Sequence, residues 1–169
     1  MTTSGAPGWA PRLFSGWTLV ELTIVLVVAA ILAYVVVRTY QPKEALALEQ
    51  AERLRNDLRH VQMLALTWGQ PLRVTVAAGS YSVSCVTAGG TPPCNASPVL
   101  DPVTRAPYQV TLESGLTLSG PGFTLDLDAL GRPRNGAALV AATATFTISG
   151  GGIARTVTVA PLTGFVAAQ

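Results

Sequence analysis

A single carboxylate, Glu21, stands near the start of a long apolar stretch of the sequence. From Leu22 to Val37 the chain carries no charged side chain. A charge inside a membrane-spanning helix costs about 2.5 to 3.5 kcal/mol on insertion scales, so a carboxylate there needs a partner that compensates it. Glu21 is therefore a candidate functional residue, and a nearby cation is the partner that we expect for it.

Two cysteines, Cys85 and Cys94, lie nine positions apart in a segment rich in glycine and proline. If this part of the chain is exported, a disulfide is the leading interpretation, and closing so short a loop contributes somewhat less than about 3 kcal/mol. Two free thiols in a cytosolic domain, or a metal site, are the alternatives. The metal site has little support, because no histidine or second cysteine pair lies near these two residues.

The other polar residues of interest form no catalytic arrangement. His60 is the only histidine, and without a nucleophile or carboxylate beside it we expect a solvent-exposed helix residue. Asp126 and Asp128 lie two residues apart and so share one face of a strand. Calcium ligands are one interpretation of this pair, but the favoured interpretation is that the two residues flank the turn from 129 to 133. No glycine-rich loop suits a nucleotide phosphate, so we expect no cofactor, no metal and no enzymatic activity.

Length and hydropathy indicate one membrane anchor and one ordinary domain within the 169 residues. The hydrophobic fraction of 49% is high for a soluble domain, and its excess is concentrated in the apolar stretch. A helix from Trp17 to Val37 is about 30 Å long, which matches the core of a bilayer. Residues 1 to 15 are mostly small and polar and are expected to be disordered.

A cleaved secretory signal peptide is the alternative interpretation of the N-terminus. It would have one cation, Arg12, an apolar core from Leu22 to Val28 and a cleavage site near Ala33. Two features argue against it, since Glu21 stands at the head of the apolar run and the run continues beyond the cleavage site to Val37. We therefore expect residues 17 to 37 to remain as a transmembrane helix.

A second, amphipathic helix is predicted from residue 43 to residue 68. Pro42 suits a kink or a restart of the helix, and Gly69 and Pro71 end it. Apolar residues recur at alternating spacings of four and three, so they form one stripe that can pack on the domain that follows. A coiled-coil dimer seam is the alternative use of that stripe. The stripe consists of Ala47, Ala51, Leu54, Leu58, Val61, Ala65 and Trp68, and the opposite, charged face of Glu49, Glu52, Arg53, Arg55, Asp57 and Arg59.

Beyond Gly69 the pattern changes to short alternating segments. Residues 72 to 77 and 80 to 86 are typical of a hairpin around Ala78 and Gly79. Further strands are predicted over residues 108–112, 116–119, 123–127, 144–149 and 153–160, and the last two are expected to form a second hairpin around the turn Gly150-Gly151-Gly152. We therefore predict an α+β fold, in which a long N-terminal helix over 17–68 packs on a mostly antiparallel β domain over 69–169.

The segment Gly16-Trp17-Thr18-Leu19-Val20-Glu21, followed by an apolar helix, resembles the class III signal of type IV pilins and type II secretion pseudopilins, Gly-Phe-Thr-Leu-Ile/Val-Glu. The resemblance implies that a prepilin peptidase removes residues 1–16 by cutting between Gly16 and Trp17, and methylates the new amine of Trp17. It also implies that Glu21 compensates the N-terminal ammonium of a neighbouring subunit in a filament. Trp17 departs from the usual phenylalanine but keeps a bulky aromatic side chain.

Three later segments are similar to the GspH/FimT branch of minor pseudopilins and minor pilins, namely residues 54–65, 125–133 and 155–164. Some FimT-like minor pilins that serve DNA uptake carry a Gly-Arg-x-Arg element, which residues 131–134 match. Arg132 and Arg134, joined in space by Arg155, could hold DNA phosphates. Solvated arginines on a turn are the alternative, and a net charge of only +2 gives no bulk electrostatic case for DNA binding.

The resemblance implies a minor pilin or minor pseudopilin, a structural subunit of a type IV pilus or a type II secretion pseudopilus. The expected partners are a prepilin peptidase, other pilin or pseudopilin subunits and the bacterial inner membrane, with the C-terminal domain in the periplasm until the subunit enters a filament. Two alternatives remain open. One is a DNA-binding minor pilin of a competence pilus, and the other is a membrane-anchored periplasmic binding domain that never assembles.

Overall fold

The computed structural model describes residues 18–39, 43–87, 89 and 92–169. The chain divides into two compact units, Met1–Gln41 and Pro42–Gln169. The first unit contains helix α1 (Leu19–Thr39), which is mostly apolar. The expected leader and the expected kink at Pro42 lie outside the described residues.

Helix α1 is long and apolar enough to cross a membrane, judged by its length and composition. Its segment Leu19–Val36 has a mean hydropathy of 2.7, and none of it is buried within the structure. At about 1.5 Å per residue these 18 residues extend about 27 Å, close to the thickness of a bilayer core. A helix with apolar side chains on every side is typical of a membrane-spanning helix or of a helix in a protein core. This pattern agrees with the anchor predicted over residues 17–37.

The second unit begins with helix α2 (Lys43–Trp68). The predicted apolar stripe is the face that packs on the sheets, since Ala47, Leu54 and Val61 are fully buried and Trp68 packs against the same core. Strands of the same chain cover the stripe, so it is not a coiled-coil seam. Gly69 follows the helix with a φ of +62°, the left-handed conformation that commonly ends a helix.

Ten strands follow α2 in the described part of the chain and form two antiparallel sheets, which confirms the α+β class. The first sheet has the order β3-β2-β1-β5-β6-β7 and the second the order β10-β9-β8-β4. The strands are β1 (Leu72–Ala77), β2 (Ser80–Cys85), β3 (Gln109–Thr111), β4 (Thr117–Ser119), β5 (Leu125–Leu127), β6 (Pro133–Asn135), β7 (Ala138–Leu139), β8 (Ala144–Gly150), β9 (Ile153–Val159) and β10 (Val166–Ala168).

The two predicted hairpins are confirmed. Strands β1 and β2 pair from Leu72 and Cys85 to Ala77 and Ser80, and β8 pairs with β9 across the glycine turn. The prediction missed β6, β7 and β10, because these strands have only two or three residues and show no alternation of apolar and polar side chains. The other predicted strands are present but shorter than expected.

The core lies between α2 and the inner faces of the two sheets. Alternating residues of β8 face it, so Ala144, Phe146 and Ile148 are buried whereas Thr145 is exposed. Truncating a buried phenylalanine such as Phe146 costs about 3 to 5 kcal/mol. The largest fully buried side chains belong to α2 and to both sheets, and they include Phe146, Leu54, Leu72, Leu125, Leu127 and Ile148.

Candidate functional site

The start of α1 is fixed by a cap that involves Glu21. The hydroxyl Oγ1 of Thr18, the residue before the helix, accepts a hydrogen bond from the backbone N–H of Glu21 at 3.2 Å. A threonine followed three residues later by glutamate is the spacing of a capping box, and a carboxylate in the first turn also favours the helix dipole. The sequence reasoning missed this local role of Glu21, although the spacing of Thr18 and Glu21 signals it.

The carboxylate of Glu21 is exposed on the surface of α1. Within the part of the chain that the structure describes, it forms no ion pair. Gly16 and Trp17, between which cleavage is expected, lie outside the described residues. Cleavage at this site and the pairing of Glu21 with a neighbouring amine therefore stay predictions.

Asp128 organises the segment 131–136, called here the arginine turn. Its Oδ1 accepts hydrogen bonds from the backbone N–H groups of Leu130 and Arg132, both at 2.9 Å. Its Oδ2 lies 2.9 Å from Nε of Arg132 and 3.5 Å from Nε of Arg134. Burial raises the pKa of Asp128, but the hydrogen bonds from Arg132 and Leu130 and the charge of Arg132 outweigh burial and hold this pKa below its usual range. Asp128 thus flanks a turn, as expected.

Arg155 does not join the other two arginines. Its Nη2 pairs with Glu44 Oε1 at 3.0 Å, at the first turn of α2. The arginine turn instead lies beside Gln62, whose Nε2 donates to the carbonyl oxygen of Gly131 at 3.0 Å. Glu44 and Gln62 are 18 residues apart, which is about 27 Å along a helix. The expectation that Arg155 meets Arg132 and Arg134 in space is wrong.

Asp126 is a buried member of a cross-strand ion pair. It is 3% exposed and accepts two hydrogen bonds from Arg73, Nε to Oδ1 at 2.7 Å and Nη2 to Oδ2 at 2.8 Å. The two residues lie opposite each other in the pairing of β1 with β5. The hydrogen bond to Asp126 raises the pKa of Arg73. The sequence reasoning did not find this pair, because nothing local connects residues 53 positions apart.

A cleft of about 460 Å³ lies between α2 and the loop before β3, and it contains polar residues that the sequence reasoning placed in solvent. His60 is half-buried there, with its ring centroid 6.1 Å from that of Tyr108. Asp57 is also half-buried and accepts a hydrogen bond from the hydroxyl of Tyr81. The expectation of a solvent-exposed His60 is therefore wrong, because the loop that carries Tyr108 covers this side of α2.

Burial and hydrogen bonds shift the pKa of three groups at this cleft away from their ordinary values. Burial, together with the Asp57 carboxylate, raises the pKa of both Tyr81 and Tyr108 above the ordinary value of a phenol. Hydrogen bonds from Val103 and Thr104 outweigh burial and lower the pKa of Asp101. Both phenols therefore stay protonated at neutral pH, and the hydroxyl of Tyr81 donates to the Asp57 carboxylate.

The cysteines form the expected disulfide, which links Cys85 at the end of β2 to Cys94. This bond confirms the leading interpretation over free thiols or a metal site. In the described ranges, no group of three or more histidine, cysteine, aspartate or glutamate side chains is arranged to hold a metal ion.

Comparison with known proteins finds solved structures of similar fold. No family model matches the sequence, and no curated protein matches it at a significant level. The minor pseudopilin EpsH from the Type 2 Secretion System of Vibrio cholerae is similar in structure, with a TM-score of 0.51 and 18% sequence identity, over 73% of this chain and 95% of that chain.

The type IV minor pilin FimU of Pseudomonas aeruginosa is similar in two crystal forms. The TM-score is 0.50 in both, with 15% identity over 72% of this chain and 91% of that chain, and 14% identity over 75% and 89%. Similarity at these identities establishes a common fold. The type IV pilin-like architecture expected from the sequence is thereby confirmed, and the chain has the fold of minor pilins and minor pseudopilins.

Proposed function

We propose that the chain is a minor pilin or minor pseudopilin, a structural subunit of a bacterial filament and not an enzyme. The observation that carries the proposal is the exposed carboxylate of Glu21 in the first turn of an apolar helix, α1, in a chain whose second unit has a pilin-like fold. The sequence of residues 16–21, which resembles a prepilin processing signal, supports the same role.

In this proposal a prepilin peptidase cuts between Gly16 and Trp17 and methylates the new amine. The ammonium of Trp17 in one subunit then pairs with Glu21 of its neighbour. Two opposite charges about 4 Å apart attract by about 4 kcal/mol at an effective dielectric constant of 20, whereas an unpaired carboxylate in the membrane costs about 2.5 to 3.5 kcal/mol. Glu21 therefore selects the register in which subunits pack.

Before assembly, α1 lies in the inner membrane and the second unit lies in the periplasm. The disulfide between Cys85 and Cys94 supports this location, since disulfides persist in oxidising compartments. The subunit then enters a type IV pilus or a type II secretion pseudopilus. Its structural relatives come from both kinds of system.

The cleavage step is tested by expressing the full chain with and without a prepilin peptidase and measuring the intact mass. We expect a mature chain that begins at a methylated Trp17, and an uncut chain when Gly16 is replaced by arginine. An N-terminus that is unchanged in the presence of the peptidase, or a cut near Ala33, would refute the proposal.

The assembly step is tested with two variants at the start of α1. Glu21→Gln keeps a side chain suited to the capping box but removes the charge, so we expect normal cleavage and loss of incorporation into filaments. Thr18→Ala is the matched control, because it weakens the helix start by about 1 kcal/mol and keeps the carboxylate. Unchanged incorporation of Glu21→Gln would remove the pairing role of Glu21.

A further inference from the structure

Strand β1 extends past the start of its neighbour β5. The pairing of these two strands stops where Val74 lies opposite Leu125, the first residue of β5. β1 continues to Ala77, and β2 pairs with it along its whole length. Among the described strands, residues 75–77 of β1 therefore have a partner on one side only. We call this stretch the open edge of β1.

The backbone of Val76 points to the unpaired side of the open edge. Successive residues of an antiparallel strand bond alternately to the strands on its two sides. The N–H of Val86 donates to the carbonyl oxygen of Pro71 at 3.0 Å, so in the register of β1 with β2 the residues at 73, 75 and 77 bond to β2. Val76 therefore faces the other side. Within the described part of the chain, its N–H and its C=O have no hydrogen-bond partner.

Val76 lines a groove of about 490 Å³ between the open edge and the segment 118–124. Leu118 and Phe146 also line the groove and are buried, so its base is apolar. The N–H of Leu118 donates to the carbonyl oxygen of Ala78 at 2.8 Å and closes one end. Of the described residues that line the groove, none carries a charge. An occupant should therefore be uncharged, because burying a charge without a partner is costly.

An extended peptide satisfies both the backbone and the apolar base of the groove. A peptide residue opposite Val76 can donate its N–H to the carbonyl oxygen of Val76 and accept from the N–H of Val76. Residues that lie opposite each other in an antiparallel pair project from the same face. Val76 packs against the core, so the side chain of the peptide residue enters the groove on the core side. A small apolar ligand would leave the backbone groups of Val76 unpaired.

We propose that this groove binds an extended, uncharged peptide segment of another protein, which adds to the open edge of β1 as a further strand. The segment places one apolar side chain over Leu118 and Phe146 and forms two backbone hydrogen bonds with Val76. This peptide-binding site goes beyond the structural role proposed above. It depends neither on cleavage after Gly16 nor on the pairing of Glu21.

Amide exchange, measured by nuclear magnetic resonance on the full chain in lipid nanodiscs, tests the site. Without peptide, the amide of Val76 should exchange at least about tenfold faster than that of Val74, which faces β5. The probe is the capped peptide Ser-Thr-Val-Thr-Ser. At saturation it should slow the exchange of Val76 at least about tenfold, and the resonances that shift should lie within residues 75–77 and 118–124.

Two further peptides are matched controls for the probe. Methylation of the central valine nitrogen removes the N–H that should donate to Val76, so this peptide should not slow the exchange of the Val76 amide. Aspartate in place of the central valine puts a charge over the apolar base, so this peptide should not bind either. Equal binding of the methylated peptide would show that the groove accepts an apolar side chain and not a strand, which overturns the proposal.

Two variants of the chain test the groove from its own side. Val76→Pro removes the N–H that faces the groove and keeps the bonds from β1 to β2, so the fold should persist, as it does with proline on edge strands. Gly120→Leu keeps both backbone groups of Val76 and fills the space beside it, since a Cβ at Gly120 would lie 3.4 Å from the Cβ of Val76. Each variant should weaken binding of the probe at least about tenfold.

Three other results would overturn the proposal. One is a Val76 amide that exchanges as slowly as that of Val74 without peptide, which would mean that another part of the chain covers the open edge. The second is the absence of any shift at about 1 mM probe. The third is unchanged binding of the probe by a folded Val76→Pro variant or by the Gly120→Leu variant.

Discussion

The side-chain amide of Gln62 donates a hydrogen bond to the carbonyl oxygen of Gly164 at 2.6 Å. Gly164 has a φ of +70° and is buried against the helix. A Cβ at this position would lie 2.6 Å from the carbonyl oxygen of Gly131 and closer still to the Gln62 amide. A polar residue of α2 thus fixes the loop between β9 and β10, and with it the position of Phe165.

Replacing Gly164 by alanine should therefore destabilise the second unit by more than about 2 kcal/mol, from left-handed strain together with the close contact. Gly136→Ala is the matched control. Gly136 has a φ of +61° and nothing within 4 Å of an added Cβ, so only the strain of about 1 kcal/mol remains. Urea unfolding of the two variants measures the difference. Equal losses of unfolding free energy in the two variants would show that the Gln62 side chain moves away from the added Cβ without an energetic penalty.

The pair formed by Arg73 and Asp126 should be strongly coupled. Arg73→Met leaves a buried carboxylate without its partner and should cost about 2 to 3 kcal/mol of unfolding free energy. The double variant Arg73→Met/Asp126→Leu removes both charges and should cost less than the sum of the single changes. A double-mutant cycle in urea gives the coupling energy. Additive losses would indicate that the pair contributes nothing beyond its separate side chains.

Asp128 should make the stability of the second unit depend on pH in acid. The pKa of Asp128 in the folded state is below its unfolded value of about 4. Asp128 therefore makes its full contribution to the unfolding free energy above about pH 4. This contribution is lost as the pH falls through the lower, folded pKa, because the protonated carboxyl no longer holds Arg132 and Arg134. Unfolding free energies between about pH 6 and pH 2 measure this loss, and Asp128→Asn should flatten it. An unchanged slope in the variant would assign the acid sensitivity to other carboxyls.

Removing the disulfide should weaken the second unit without abolishing its fold. Cys85 and Cys94 close a short loop, for which the chain-entropy model gives about 2.5 kcal/mol. Cys85 is at the edge of the core and Cys94 packs against it, but the largest buried side chains lie on α2 and both sheets and are unchanged. The variant Cys85→Ala/Cys94→Ala should therefore still unfold cooperatively. Circular dichroism and urea unfolding provide the measurement. Loss of the folded state would mean that the disulfide is required for the fold of the whole second unit and not only for its loop.

The arginine turn should bind DNA weakly or not at all at physiological salt. Asp128 compensates one of the two charges of Arg132 and Arg134, and Arg155 lies elsewhere, paired with Glu44, so one net positive charge is too little to hold DNA at physiological salt. Electrophoretic mobility shift of the second unit measures binding, with Arg132→Ala/Arg134→Ala as the matched variant. A shift that disappears in this variant and weakens steeply with salt would instead establish the competence alternative.

The sequence by itself determined the features that repeat along the chain. The uncharged run after Glu21 predicts α1, and the alternating spacing of four and three predicts the buried face of α2. Alternation of apolar and polar residues predicts the two hairpins, and the loop between Cys85 and Cys94 predicts the disulfide. Each of these features depends on residues that are close together in the sequence, so the spacing of residue types indicates it directly.

Only the tertiary structure decided which distant side chains meet. The register of β1 against β5 brings Arg73 to Asp126, the loop before β3 covers His60, and Gln62 reaches two loops that lie far along the chain. The short strands β6, β7 and β10 are likewise formed by pairing and not by pattern. Such contacts follow from packing between segments 50 to 100 residues apart, for which local spacing holds no signal.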